Sequence, residues 1–262
     1  MMNPSPRVSV IMSVYNGQSF LRDALQSILA QGFTDFEFLI VDDGSTDETP
    51  YILSEYAARD SRIRVISTAQ QGLTAALRLL CQKAVAPYLA RMDADDIAMK
   101  NRLAHQYAYM EAHPDLAASG TQGIIIDTQG KEVGKKIFPT EHKEIHKRLL
   151  FNNQFIHSSL MFRRELLLKN GSYNVNFRRS QDYELMLRLA SRHEVGNVPE
   201  VLMSWRVHAH SLSWTSKAQE RDALRARVLA IREYGYSFFL GSVFILIRCF
   251  WRMEEEWRIA LN

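Results

Sequence analysis

Between Val8 and Met92, short apolar runs alternate with segments whose apolar residues recur every three or four positions. Residues 8–15 predict a first strand. Asn16 and Gly17 then turn the chain, and Phe20, Leu21, Ala24, Leu25 and Ile28 form a helical stripe. Residues 36–41 are almost entirely apolar, the pattern of a strand buried on both faces. The turn cluster 42–47 follows, where Ser45, Thr46 or Asp47 can cap a helix that tolerates Pro50 in its first turn. Residues 63–67 predict a third strand, and Gly72 opens an alanine- and leucine-rich helix that runs to Ala84. Residues 88–92 predict a fourth strand, which ends in carboxylates.

This strand–helix alternation predicts an α/β fold: a mostly parallel sheet with helices on both faces. Ligands of such sheets bind at the carboxyl ends of the strands. The clusters Tyr15-Asn16, Asp42-Asp43 and 93–96 sit at those ends, far apart in sequence but gathered on one rim by the topology. The second half is less regular. Residues 117–127 and 155–163 read as strands, 182–192 as a helix, and 198–207 as a strand returning to the sheet. From about Ser216 the composition changes to a charged helix, Lys217–Glu233, and then to a short apolar run, 238–247. The expected organisation is therefore a domain over 1–215 and a helical C-terminal extension over 216–262. No internal repeat or low-complexity tract interrupts either part.

Composition narrows the function classes. The 262 residues, 47% hydrophobic and 23% charged, suffice for a sizeable core. A net charge of +3 without a basic stripe argues against nucleic acid as partner, and leaves room for a weak attraction to anionic surfaces. The two cysteines, Cys81 and Cys249, lie far apart without metal-ligand spacing, which argues against a disulfide framework or a zinc site. Reduced thiols predict a cytoplasmic location. Residues 1–7 lack the apolar core of a secretory signal, and no apolar run reaches the roughly 20 residues of a membrane span.

The strongest local chemistry is Arg91-Met92-Asp93-Ala94-Asp95-Asp96. Strand alternation would put Asp93 and Asp95 on one side, where two carboxylates call for a cation. Carboxylate oxygens suit Mg2+ or Mn2+, and such an ion can bind a diphosphate and stabilise the charge it gains on leaving. The other reading, an acidic loop capping the helix after Ile97, stays open on the pattern alone. Asp42-Asp43-Gly44-Ser45 reads as a capped turn or as part of a ligand site, and Tyr15 as a core aromatic or as a platform for a base.

Taken together, 8–16, 41–47, Gly72-Leu73 and 90–96 closely resemble glycosyltransferase family 2, over roughly residues 7 to 210. The resemblance implies the GT-A fold, a Rossmann-like nucleotide-diphospho-sugar transferase fold, and inverting transfer of a sugar from a nucleotide-sugar donor, UDP-linked by preference. It assigns donor binding to Val14, Tyr15, Asn16, Asp43, Gly72, Arg78 and Asp93, with Tyr15 stacking on the base and Asp43 hydrogen-bonding it. Asp95 becomes the principal metal ligand, with Asp93 beside it and His208, in Trp205-Arg206-Val207-His208, as a third ligand or a surface histidine. Asp182 takes the position of the general base, with a plain helix cap as the alternative. Gln181 replaces the usual Glu before it. Arg78, where relatives often carry Asn, reaches the donor or is simply solvated, and His157 falls where the acceptor pocket often lies. The Gln-x-x-Arg-Trp signature of processive synthases is absent, which implies a single addition.

The acceptor implied is a saccharide or a lipid-linked intermediate of surface polysaccharide or glycolipid synthesis. A nucleotidyltransferase of the same fold would carry a glycine-rich phosphate loop near Tyr15, and none is there. A non-catalytic nucleotide-binding or scaffold protein is the remaining rival, supported by Gln181 and opposed by Asp93, Asp95 and Asp182. The tail offers two readings. The run 238–247 with Arg248, Trp251, Arg252 and Trp257 suits peripheral attachment at a membrane interface. It equally suits packing on the domain or on a second copy in a homo-oligomer, and Glu254-Glu255-Glu256 counts against anionic lipid.

Overall fold

A computed structural model describes residues 5–208 and 217–237. Four strands, β1 (Val8–Val14), β2 (Phe36–Asp42), β3 (Ile63–Ser67) and β4 (Tyr88–Asp93), alternate with three helices, α1 (Leu21–Leu29), α2 (Thr49–Arg59) and α3 (Leu73–Lys83). The remaining elements in chain order are β5 (Ile97–Ala98), α4 (Arg102–Ala112), β6 (Leu116–Ile126), β7 (Glu132–Lys136), α5 (His142–Leu149), β8 (Met161–Arg163), α6 (Arg164–Lys169), α7 (Gln181–Ala190), β9 (Glu194–Arg206) and α8 (Lys217–Glu233).

All strands join one sheet in the order β3-β2-β1-β4-β8-β6-β9-β5, with β7 paired to β6. The pairs β3-β2, β2-β1 and β1-β4 are parallel. The three-residue β8 runs antiparallel to both β4 and β6, and β6 and β9 are parallel to each other. Strands β6 and β9 therefore point the same way as β1 to β4, and the expected mostly parallel α/β fold holds. The C-terminal ends of β4 and β9 consequently reach the same rim.

Side-chain alternation divides the core. Val8, Val10 and Met12 of β1 pack with Phe38 and Ile40 of β2 against Leu21, Leu25 and Ile28 of α1 and Ile52 and Leu53 of α2. Ile11, Leu39 and Val41 face the other way, onto Leu77, Leu80 and Cys81 of α3. Cys81 is fully buried, and burial pushes its thiol up to about 12. The C-terminal α8 adds Ala226, Ala230 and the nearby Tyr236 to this second cluster. Its predicted bounds are met, whereas the run 238–247 and the residues after it lie outside the described residues. No helix among the described residues is long and apolar enough to cross a membrane.

Two local expectations are corrected. Residues 155–163 do not form one strand: a 3-10 turn over His157–Ser159 precedes the short β8. Ser159 is the cause, because its hydroxyl and its backbone N–H both donate to Ile156 O, and such local bonds compete with a strand ladder. Strand β4 ends at Asp93, so Asp95 stands in a turn and strand alternation does not set its direction. The hairpin strand β7 and the helices α5 and α6 had no clear apolar period to announce them.

Gly120 marks the closest approach in the second half. A Cβ there would meet Asn197 Oδ1 at 2.3 Å and Phe155 Cδ1 at 2.8 Å. Asn197 cannot retreat freely, since it donates to Pro139 O at 2.8 Å and Gln154 O at 3.1 Å. Gly120→Ala should destabilise the fold by about 1–3 kcal/mol, the usual range for overpacking. A urea melt checks this, and an unchanged midpoint would contradict the packing described.

Candidate active site

The rim begins where β1 and β2 end. Val14 is buried, and its carbonyl accepts the Asp43 N–H at 2.9 Å. Asn16 adopts a left-handed conformation (φ 50°). It ties the two strand ends together, accepting the Thr46 N–H on Oδ1 at 2.8 Å and donating its own N–H to Ser45 Oγ at 2.9 Å. Tyr15 is left 47% exposed on this rim. Asp43 is buried, and its two oxygens accept the N–H groups of Gln71 and Gly72, each at 2.8 Å. It thus anchors the loop in which Gly72, at φ 93°, turns the chain into α3. Arg78 is exposed on the second turn of that helix. Asp43 therefore has a structural job that its position in a turn motif did not reveal. Oδ1 also accepts the Thr68 hydroxyl at 3.4 Å, which leaves a lone pair to offer on Oδ2.

The acidic run is the electrostatic centre. Arg91 is fully buried; its Nη2 donates to Asp93 Oδ1 and its Nη1 to Met92 O. Asp96 is also buried, accepting the Arg206 N–H at 2.8 Å on Oδ1 and the Ser158 hydroxyl on Oδ2. Burial, and then the charges of Asp95 and Asp93, push the Asp96 carboxyl well above the usual range. Asp95 is raised by burial and by Asp93, against the pull of His208. Arg206 closes the run from behind. It donates from Nε to Asp95 O at 2.8 Å, from Nη1 to Asp127 O at 3.2 Å, and from Nη2 to Asp23 Oδ2 at 3.3 Å. It also lies 4.5 Å over the Phe20 ring. A third guanidinium, on buried Arg102, donates to Arg91 O at 2.7 Å; burial and the nearby Arg91 lower it to about 9, still charged at neutral pH.

His208 arrives beside Asp95 because β9 ends on the same rim, with His208 Nε2 3.0 Å from Asp95 Oδ2. The proposed ligands Asp95 and His208 are thus together, while Asp93 is turned toward Arg91. Among the described residues no group of three or more His, Cys, Asp or Glu side chains forms a ready metal cluster.

Asp182 lies in the first turn of α7, entered through Ser180 in the left-handed region (φ 51°). Asn153 Nδ2 donates to Asp182 Oδ2 at 2.8 Å. Gln181 beside it is buried. His157 connects this side to the acidic run, because its charge is affected by both Asp182 and Asp93. Burial, then Arg91, lower its pKa and favour the neutral ring, whose Nε2 lies 2.8 Å from Tyr173 OH. Lys136 rests 3.4 Å over the Trp205 ring; burial lowers its pKa, against the charges of Asp96 and Asp182. Helix α8 supports the Asp182 segment from outside. Ser180 Oγ donates to Gln219 O at 3.1 Å, and Arg227 donates to Leu150 O and Phe151 O, both at 3.1 Å.

The residues that sequence reasoning passed over are Arg91, Asp96, Ser158, Arg206 and Asn153. An arginine inside an otherwise apolar strand, directly before an acidic run, was the one visible signal among them.

Residues 9–171 match the family model described as Glycosyl transferase family 2. The O-antigen biosynthesis glycosyltransferase WbnJ of Escherichia coli is 33% identical over 208 residues, which cover 78% of this chain and 81% of that protein. The chain belongs to glycosyltransferase family 2. This family 2 enzyme is also 31% identical to the amylovoran biosynthesis glycosyltransferase AmsE of Erwinia amylovora, over 94% of the chain and 93% of that protein. Its GT-A fold matches residues 1–349 of TarS from S. aureus in complex with UDP-GlcNAc, with a TM-score of 0.73 and 17% identity over 91% of this chain and 70% of that one. The mannosyltransferase PcManGT of Pyrobaculum calidifontis, in complex with GDP-Man and Mn2+, gives 0.62 and 16% identity over 98% and 81% of the two chains.

Removing Arg206 tests the electrostatic centre of this glycosyltransferase. Arg206→Met removes the guanidinium donors of Asp95 O, Asp127 O and Asp23 Oδ2 while keeping the backbone N–H that Asp96 accepts. It should lower stability by about 1–3 kcal/mol and weaken nucleotide binding together. Melting and UDP titration read the two effects, and a variant with both values unchanged would remove Arg206 from this role.

Proposed function

We propose that this glycosyltransferase moves a sugar from a UDP-linked donor to an acceptor hydroxyl with inversion, and that a hard divalent cation assists it. The observation that carries the reading is the meeting of Asp95 and His208, 3.0 Å apart where β5, just after Asp95, pairs with the end of β9. Asp95 and His208 would hold such a cation, because carboxylate and imidazole donors suit Mg2+ or Mn2+. Burial and Asp93 make an ionised Asp95 unfavourable by itself, which a cation would relieve. The complex of PcManGT with GDP-Man and Mn2+ supports the same chemistry. When bound, the cation supplies positive charge for the departing diphosphate.

Every other role falls to the chain itself. Tyr15, exposed at the rim, stacks on the base, and Asp43 accepts from it with the remaining lone pair of Oδ2. Val14, Asn16 and Gly72 shape the backbone around the nucleotide, and Arg78 offers a charge along α3. Asp93 binds the ribose or the metal side of the donor. Asp182 removes the proton from the acceptor hydroxyl as general base, with its carboxylate oriented by Asn153. Asn153 Oδ1 is buried without a partner among the described residues, and can accept from a second hydroxyl of the acceptor. His157, neutral and close to both carboxylate groups, lines the space between donor and acceptor. The oxygen attacks the anomeric carbon from the face opposite the nucleotide. The names of WbnJ and AmsE support an acceptor in surface polysaccharide synthesis, as a saccharide or a lipid-linked intermediate. Work on such an acceptor belongs on the cytoplasmic side.

A panel of nucleotide sugars with added Mn2+ or Mg2+, read by release of the nucleoside diphosphate, tests the reading. Turnover should require the metal, and Asp95→Asn should abolish the stimulation while the melting temperature is kept. Transfer that survives both a chelator and Asp95→Asn would show that metal assistance is wrong.

Asp182→Asn should lower kcat by a factor on the order of 100 or more and leave UDP affinity nearly unchanged. Calorimetry beside a single-turnover assay separates the two. Weakened UDP binding with unaltered turnover per bound donor would move Asp182 from the acceptor side to the donor side.

A further inference from the structure

The outward face of α8 has a composition that packing alone does not call for. At 100° per residue, Lys217, Arg221, Leu224, Val228 and Arg232 fall within an arc of about 80°. The buried residues Asp222, Ala226 and Ala230 are on the opposite side. Leu224 and Val228 remain 41% and 38% exposed. Lys217, Arg221 and Arg232 make no hydrogen bond or ion pair among the described residues, and the acids of the helix, Glu220, Asp222 and Glu233, all fall outside the arc.

A neighbouring loop extends this face. Arg225 donates to Asn176 O at 3.1 Å and lies 4.7 Å over the buried Phe177 ring, joining α8 to residues 174–178. There Val175 is 44% exposed and Arg178 is exposed. The same loop touches the start of α3, where Thr74 Oγ1 donates to Phe177 O at 2.7 Å, and it leads directly to Ser180 and Asp182. The face therefore adjoins the segment that carries the base.

We propose that this face docks the enzyme on an anionic lipid bilayer, with the cations at the headgroup phosphates and Leu224, Val228 and Val175 at the acyl boundary. Charge complementarity selects the occupant, because four cations of α8 and Arg178 line the surface with two apolar residues set between them and no acid within the arc. An acidic protein surface would satisfy the cations but not the exposed apolar side chains. Long basic side chains suit this place, since their stems cover apolar surface while their charges reach phosphate. Docking here would keep the enzyme at the surface that carries an acceptor built on a lipid. That use rests on the proposed glycosyl transfer, whereas the docking itself does not.

Co-sedimentation of the full chain with vesicles tests the proposal. One set is pure phosphatidylcholine, and the other contains about one third phosphatidylglycerol. The protein should bind the anionic vesicles, lose binding as salt rises, and leave the neutral ones in the pellet alone. Arg221→Glu with Arg232→Glu should weaken binding about tenfold or more, and Leu224→Ser with Val228→Ser should weaken it at every salt concentration. Melting temperature and UDP affinity, both expected unchanged, verify that the variants fold. No binding of the full chain to anionic vesicles overturns the proposal, as does equal binding of wild type and both double variants. A wild-type dimer that ignores vesicles and is split by Arg221→Glu with Arg232→Glu also overturns it, by assigning the face to a second copy. UDP binding retained in any of these cases leaves the donor-site reading standing.

Discussion

Three carboxylates within four residues, at the end of a buried strand, cannot be kept in a protein interior without compensation. Burial of Asp95 and Asp96 opposes their ionisation, and the charges beside them, Asp93 for Asp95 and both for Asp96, oppose it further. The fold meets this with guanidinium groups behind the run and polar hydrogens around it. Arg91 comes from the same strand, Arg102 from the helix that follows, and Arg206 from the end of β9. Ser158 contributes from the 3-10 turn. Asp95 is the member of the run that faces His208 rather than a guanidinium side chain, and it is the carboxylate proposed to hold the cation.

This requirement makes sense of the irregular second half. For Arg206 and His208 to reach the carboxylates, β9 must run parallel to β4 and end on the same rim. The short reversed β8 allows this, since pairing antiparallel with both β4 and β6 restores the original direction in β6 and β9. The turn before β8 delivers Ser158 and His157 to the rim at the same step. The left-handed entry at Ser180 then starts α7 with Asp182 beside Asn153, and α8 holds both segments from outside.

The site thus divides between two kinds of support. The donor side is built from strand ends and tight turns of the regular half, where backbone bonds such as Asn16 to Thr46 and Asp43 to Gly72 set the shape. The proposed acceptor side is built from loops and helix starts, with Asp182, Asn153 and His157 contributed by segments held from outside by α8.

Much of the first half was legible from local pattern. Strands β1, β2 and β4 are buried on both faces, the edge strand β3 is only partly buried, and their helices carry the period of one buried stripe. The acidic and turn clusters at their ends, Asp95 among them, could be picked out from residue type and order, whereas Asp182 and His208 were singled out only through the resemblance to glycosyltransferase family 2. The failures were of another kind. Residues 155–163 are apolar enough for a strand, but the hydrogen bonds of Ser159 turn them. Asp93 and Asp95 were placed by strand alternation, but the strand stops at Asp93. Asp43, which reads as a ligand group, already holds the Gln71–Gly72 backbone. Local sequence determined which segments bury an apolar face and where carboxylates gather, because periodicity and turn chemistry act over a few residues. Only the tertiary structure decided that Arg206 and Ser158 would be the partners of Asp96, and that His208 would stand beside Asp95. Those pairings join residues that share no local pattern, and they exist because the direction of β9 and the reversal at β8 bring distant strand ends to one rim.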